Sequence, residues 1–286
     1  VIASTTAARP VSSAQTNIEG RSVYRHGIAA RTAHWGWALA ILVLVMSGLQ
    51  IFNAAPYLDA SDKSDPHHRV LAFNAHLVNG APVGTTTILG KTITTTHLFG
   101  YTSDGMGGEA PRAFPAWVTL PGEQDLADGR RWHLFFAWML IAAFVLYVVS
   151  AAVRGTLRDL ILRPSDLPKL WPMQAYYLRL RREPPPHGTY NPLQKATYTL
   201  VLFVLFPLLV LSGLTLSPGV DAAVPWLTAA FGGRQFARTW HFVFMAILIV
   251  YIGGHLLLVA TTGAWNNLRS MITGWYTLKE HDGVGP

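Results

Sequence analysis

The chain has 286 residues, of which 51% are hydrophobic and only 13% charged, about half the charged fraction of a soluble domain. It carries a net charge of +7 and no cysteine. That excludes disulfides, thiolate-bound iron–sulfur clusters and covalent cofactor attachment through C-x-x-C-H, and the apolar balance points to a membrane protein.

In chain order, residues 1–20 are Ala/Ser/Thr-rich and aperiodic. They read as a cytoplasmic tail, since no apolar core of a signal peptide follows them closely. The first charge-free run, Thr32–Leu58, predicts a membrane span over about 32–53. The segment after it, 54–131, is too long for a bare connector. Its β-branched stretch Thr85–Thr96 is broken at Gly90–Lys91, which predicts a small hairpin. Gly105, Gly107, Gly108, Pro111 and Pro115 then mark irregular chain. The expectation is a compact periplasmic cap, either a docking surface or a passive lid.

A second charge-free run, Trp132–Val153, predicts the next span. Leu170–Arg182 mixes aromatic and basic residues (Trp171, Tyr176, Tyr177, Arg179, Arg181, Arg182) and ends at Pro184-Pro185-Pro186. This pattern predicts an interfacial amphipathic helix. Charge-free runs at Ala196–Val220 and Thr239–Leu268 predict spans over about 194–216 and 239–262. A bilayer core of ~30 Å needs roughly 20 apolar residues as helix, and a lipid-spanning segment must satisfy its own backbone. The expected fold is therefore an all-α membrane protein. It is a four-transmembrane-helix bundle over residues 21–286, with a long periplasmic insertion between helices 1 and 2. No sequence repeat is evident.

Charge sets the orientation. Residues 1–31 carry Arg9, Arg21, Arg25 and Arg31 against Glu19, and Arg154–Lys195 has eight basic and three acidic residues. Asn53–Arg131 has six basic and eight acidic. The positive-inside rule places both termini in the cytoplasm and the chain in a bacterial inner membrane. The basic surplus is then a topology signal whose partner is anionic membrane lipid. There is no nucleic-acid motif.

Ionisable side chains within spans are rare and usually functional. His34, His133, His241 and His255 lie in or at the ends of the predicted spans. His241 and His255 both fall on the fourth, about four helical turns apart. At that interval they share one face, offset by ~21 Å along the axis. That is too far for one metal ion and suits two haems, each taking one ligand from this helix. Matching depths pairs His34 with His255 near the cytoplasm, and His133 with His241 near the periplasm. Such a bundle would carry two haem b groups in its core. Gly48 follows His34 at the same interval, so it would face the periplasmic haem level and give a wide ring clearance. Arg31, Arg131 and Arg238 stand just before three of the ligands and are candidate partners for haem propionates. His67, His68, His76 and His97 of the insertion show no convincing metal-ligand spacing, and His26 is a weak rival ligand.

The segments "RTAHWGWALAILVLVMSGLQIFNA", "PAWVTLPGEQDLADGRRWHLFFAW", "YNPLQKATYTLVLFVLFPLLVLSGLTLSPG", "GGRQFARTWHF" and "GAWNNLRSMITGWY" touch every predicted span. Through them the chain resembles the thiosulfate-reductase cytochrome b-type subunits, within the superfamily of formate-dehydrogenase gamma subunits and nickel–iron hydrogenase b-type cytochromes. The resemblance covers roughly residues 21–278. It implies a di-haem subunit passing electrons between a membrane quinone and a periplasmic oxidoreductase partner, often a molybdopterin-dependent enzyme. It implies haem ligands at His34, His133, His241 and His255, and a quinone pocket near Asn191 and Gln194. The residues themselves leave Asn191 equally readable as a helix cap before Pro192. The long 54–131 insertion departs from the gamma subunits, so the partner and its substrate are not inherited. An alternative is a stand-alone membrane cytochrome b acting on superoxide or ferric iron. A proton-coupled transporter would show Asp, Glu or Lys within the spans, and none is there.

Overall fold

A computed structural model describes residues 20–188 and 190–278. The expected tail therefore lies outside the described residues, apart from Gly20. Four helices are long and apolar enough to cross a membrane, over Ile28–Asn53, Leu126–Val153, Pro192–Thr215 and Arg234–Thr261. Chain order gives β1 (Ser22–Tyr24), α1 (Ile28–Asn53), β2 (Tyr57–Asp59), β3 (Arg69–Val78), β4 (Ala81–Ile88), β5 (Lys91–Thr94), β6 (Gly100–Ser103) and β7 (Glu109–Arg112). There follow α2 (Leu126–Val153), α3 (Leu157–Leu160), α4 (Leu167–Tyr177), α5 (Pro192–Leu200), α6 (Phe206–Thr215), α7 (Pro218–Ala223) and α8 (Pro225–Ala230). The chain closes with α9 (Arg234–Thr261), α10 (Ala264–Thr273) and β8 (Trp275–Thr277).

Each span begins earlier than its charge-free run. Asp125 caps α2 by accepting from the Asp128 backbone N–H at 3.0 Å. Asp128, Arg130 and Arg131 thus sit inside the helix, because a charge bars residues from the bilayer core but not from a helical turn beyond it. The third span joins α5 to α6 through a π turn at Val201–Leu205, where the Phe206 N–H reaches the Val201 carbonyl. Pro207 follows at once, and its ring cannot sit against the carbonyl four residues back in a tight turn.

The all-α expectation fails in the insertion. β2, β3, β4 and β5 form a four-stranded antiparallel sheet, and β6 pairs with β7. The expected hairpin is present as β4–β5, turning at Leu89–Gly90. A second, β3–β4, turns at Asn79–Gly80, both in the left-handed region at φ 52° and 80°. Asn-Gly at a two-residue loop is the strongest short hairpin signal, and the β-branched count passed over it.

This cap is bolted to the bundle. Asn53, the last residue of α1, accepts the Phe114 N–H at 2.8 Å. Gln50 Nε2 donates to the Glu123 carbonyl at 2.6 Å. Arg112, buried, donates to the carbonyls of Asp104 and Gly122, to Gln50 Oε1 and to Thr119 Oγ1. Phe52 and Phe242 of the helices pack with Phe73, Phe99 and Phe114 of the cap. At the opposite end β1 pairs antiparallel with β8, a clasp joining the two ends of the described chain. Between them α1, α2 and α6 enclose a core of Ala40, Val43, Phe136, Leu140 and Phe206. The outward faces are bare and apolar, as on α9 with Val250, Leu256, Leu257 and Leu258. An apolar surface of that extent requires lipid or a partner.

Candidate haem centre

Two pairs of histidines face each other between the helices, His255 alone of the four being exposed. On the cap side the rings of His133 (α2) and His241 (α9) stand 6.2 Å apart, centre to centre. On the clasp side the rings of His34 (α1) and His255 (α9) stand 6.4 Å apart. Two metal–nitrogen bonds of roughly 2 Å on opposite sides of one ion, with each ring's own radius added, bring imidazole centres to roughly 6 Å. Both separations fit one iron between each pair. Along α9 the two levels are ~21 Å apart at the ordinary helical rise.

The cap-side imidazoles rest on matched cradles that the sequence reading did not find. Ser47 Oγ lies 3.1 Å from His133 Nδ1 and donates its own hydrogen to the Val43 carbonyl at 2.7 Å. Ser212 Oγ lies 3.1 Å from His241 Nδ1 and donates to the Leu209 carbonyl at 3.0 Å. A second acceptor faces each ring nitrogen: the Leu44 carbonyl for His133, and the Leu209 carbonyl, at 3.0 Å, for His241. The cradles come from two hexapeptides that differ at one position, LVMSGL at 44–49 and LVLSGL at 209–214.

Gly48 belongs to this device. A Cβ there would come within 3.3 Å of His133 Cε1, and one at Gly213 within 3.0 Å of His241 Cε1. The missing side chains make room for the imidazoles. Gly48 thus lies at the level of His133, as its spacing from His34 requires. Gly253 and Gly254, beside His255, are exposed, and a Cβ at either would meet nothing within 4 Å outside its own stretch of helix.

The arginines divide. Arg31 and Arg238 each stand three positions before a paired histidine, which puts them about 60° from it on the same helical face. Arg31 donates from Nη1 to the Ile272 carbonyl at 2.8 Å and keeps a buried Nε with no partner. Arg238 donates to the Ala55 carbonyl and lies over the Phe52 and Tyr57 rings. Among the described residues neither makes an ion pair, so both remain available to a carboxylate. Arg131 differs. It stands two positions before His133, about 200° around the helix. It is exposed and paired with Asp128 at 2.8 Å. The residue in the R-x-x-H relation to His133 is Arg130, and this thrice-repeated spacing was legible in the sequence.

Asn191 and Gln194 form a reciprocal capping box at the start of α5, each side chain accepting the other's backbone N–H. Asn191 Nδ2 also donates to the Tyr177 hydroxyl at 3.1 Å. Only Gln194 Nε2 is left without a partner among the described residues. Beyond the spans, burial first and then Arg25, His34 and Arg31 hold His26 below the usual histidine value. Two of the four cap histidines go to surface pairs, His68 with Asp65 and His97 with Glu109, both at 2.7 Å. No group of three metal-ligating side chains occurs among the described residues.

A family model for prokaryotic cytochrome b561 matches residues 25–274. The chain belongs to that family. It is therefore a membrane cytochrome b, of a family that binds haem b and serves electron transport. It is also similar, at 24% identity over 244 residues, to a protein of Azospira oryzae named as a protein-methionine-sulfoxide reductase subunit, YedZ1. The match covers 85% of this chain and 93% of that relative.

Proposed function

We propose that this cytochrome is a di-haem subunit that carries electrons across the bacterial inner membrane, between quinone and a periplasmic oxidoreductase partner. Haem b supplies a one-electron couple at each level. His34 and His255 would hold the cytoplasm-side iron, and His133 and His241 the periplasm-side iron. The observation that carries this reading is the pair of facing imidazole couples, 6.4 Å and 6.2 Å apart, at two depths of one bundle.

Arg31, with its unpartnered Nε, would meet a propionate of the cytoplasm-side haem, and Arg238 one of the periplasm-side haem. The free amide of Gln194, at the mouth of the third span, would donate to a quinone carbonyl, while Asn191 holds the helix start. The cap would receive the partner on the side of His133 and His241. A relative named as a reductase subunit supports a partner enzyme, of molybdopterin type by the sequence resemblance. Methionine sulfoxide, from that relative's name, is one substrate class for the partner.

The test is reduction of the haems in membrane vesicles by a water-insoluble quinol, followed by recovery of the tagged chain from mild detergent. Quinol should reduce both haems, and an oxidoreductase subunit should accompany the chain. Haems indifferent to quinol, in a chain active alone on superoxide or ferric iron, would overturn the reading.

A further inference from the structure

We infer that Ser47 and Ser212 set the redox potential of the haem held by His133 and His241. They act as positioning residues that fix the tautomer of both ligands and hold them electron-rich. The inference rests on the bis-histidine reading above.

The direction of the hydrogen bonds carries the argument. Each serine spends its own hydrogen on a carbonyl of its helix, Val43 at 2.7 Å or Leu209 at 3.0 Å. What it presents to Nδ1 at 3.1 Å is therefore an oxygen lone pair. The leucine carbonyl beside it is likewise an acceptor. With only acceptors facing it, Nδ1 must carry the proton. The lone pair of each imidazole is then on Nε2. An acceptor on the far N–H makes a ligating imidazole more basic. A more basic pair of axial ligands favours ferric over ferrous iron in the one-electron couple, and so lowers its potential.

The clasp-side pair lacks the device. His34 Nδ1 is buried with no partner. His255 makes no hydrogen bond through its ring among the described residues, and has only the Tyr251 ring stacked against it at 6.3 Å. Serine control is thus confined to one of the two haems.

The experiment is a potentiometric titration of the purified full-length chain carrying Ser47→Ala, Ser212→Ala, or both. One midpoint potential should rise, further in the double variant, while the other stays put. Ser47→Cys keeps the size but is a weak acceptor, and should behave like alanine. The ferric electron paramagnetic resonance signal, which reads the angle between the two ligand planes, should change for the same haem. Two retained haems with unmoved midpoints in the double variant would overturn the inference. Equal shifts of both haems, or Ser47→Cys matching the unsubstituted protein, would do so too. Absence of haem from the unsubstituted chain would instead overturn the bis-histidine reading beneath it.

Discussion

At the cap-side pair each imidazole rests on a serine, a backbone carbonyl and a glycine, all from a helix other than its own. At the clasp-side pair His34 Nδ1 is buried without a partner, and Gly253 and Gly254 open onto space. The centre-to-centre separations are nearly equal, 6.2 Å against 6.4 Å. Spacing therefore makes two similar histidine pairs, while the surroundings make one pre-organised and one open. A pair held by its neighbours keeps its geometry without a metal; an open pair depends on what it binds. The closed level lies under a sheet fixed to the bundle, and the open level lies near a helix mouth with a spare amide donor.

The largest effects should come from the ligands. His241→Ala should remove the cap-side haem and His255→Ala the clasp-side one, each read as loss of one component of the reduced-minus-oxidised spectrum. Loss of both from either substitution would erase the distinction between levels. Next come the glycines. Gly213→Ala places a Cβ 3.0 Å from the His241 ring, and should release part of the cap-side haem. Gly254→Ala should leave that haem untouched, as haem quantification would show.

Arg112→Leu tests whether the cap is part of the closed level. It leaves buried acceptors unpaired, at a cost on the order of 3 kcal/mol, and should expose 54–131 to protease before the helices. The smallest effect belongs to Asp166, outside the spans. The Arg163 N–H and then Lys195 hold its carboxyl below the usual value. Its stabilisation is present above the ordinary carboxylate range and is lost as pH falls through the lowered value. Asp166→Asn should thus cost under about 1 kcal/mol near neutrality, read as a lower melting temperature, and nothing in strong acid.

The four spans were legible because a bilayer admits few charges, and the facing of His34 with His255 and of His133 with His241 because helical periodicity carries His241 and His255 to one face. The cap was legible in part: the Thr85–Thr96 stretch announced β4–β5, but β3 mixes buried and exposed residues without strict alternation, and the Asn79–Gly80 turn that joins it to β4 was passed over. Ser47 and Ser212 were hidden for a different reason. A serine beside a glycine in a span reads as close helix packing, and only the facing histidine gives it another role. Arg131 misled because residues close in sequence can point to nearly opposite sides of a helix, as it and His133 do.

The most direct test of the account is haem quantification of the purified chain, by pyridine haemochrome against protein mass. Two b-type haems per chain, both low-spin and six-coordinate, is the predicted result. One haem would break the pairing of His34 with His255 and His133 with His241, and none would contradict the account as a whole.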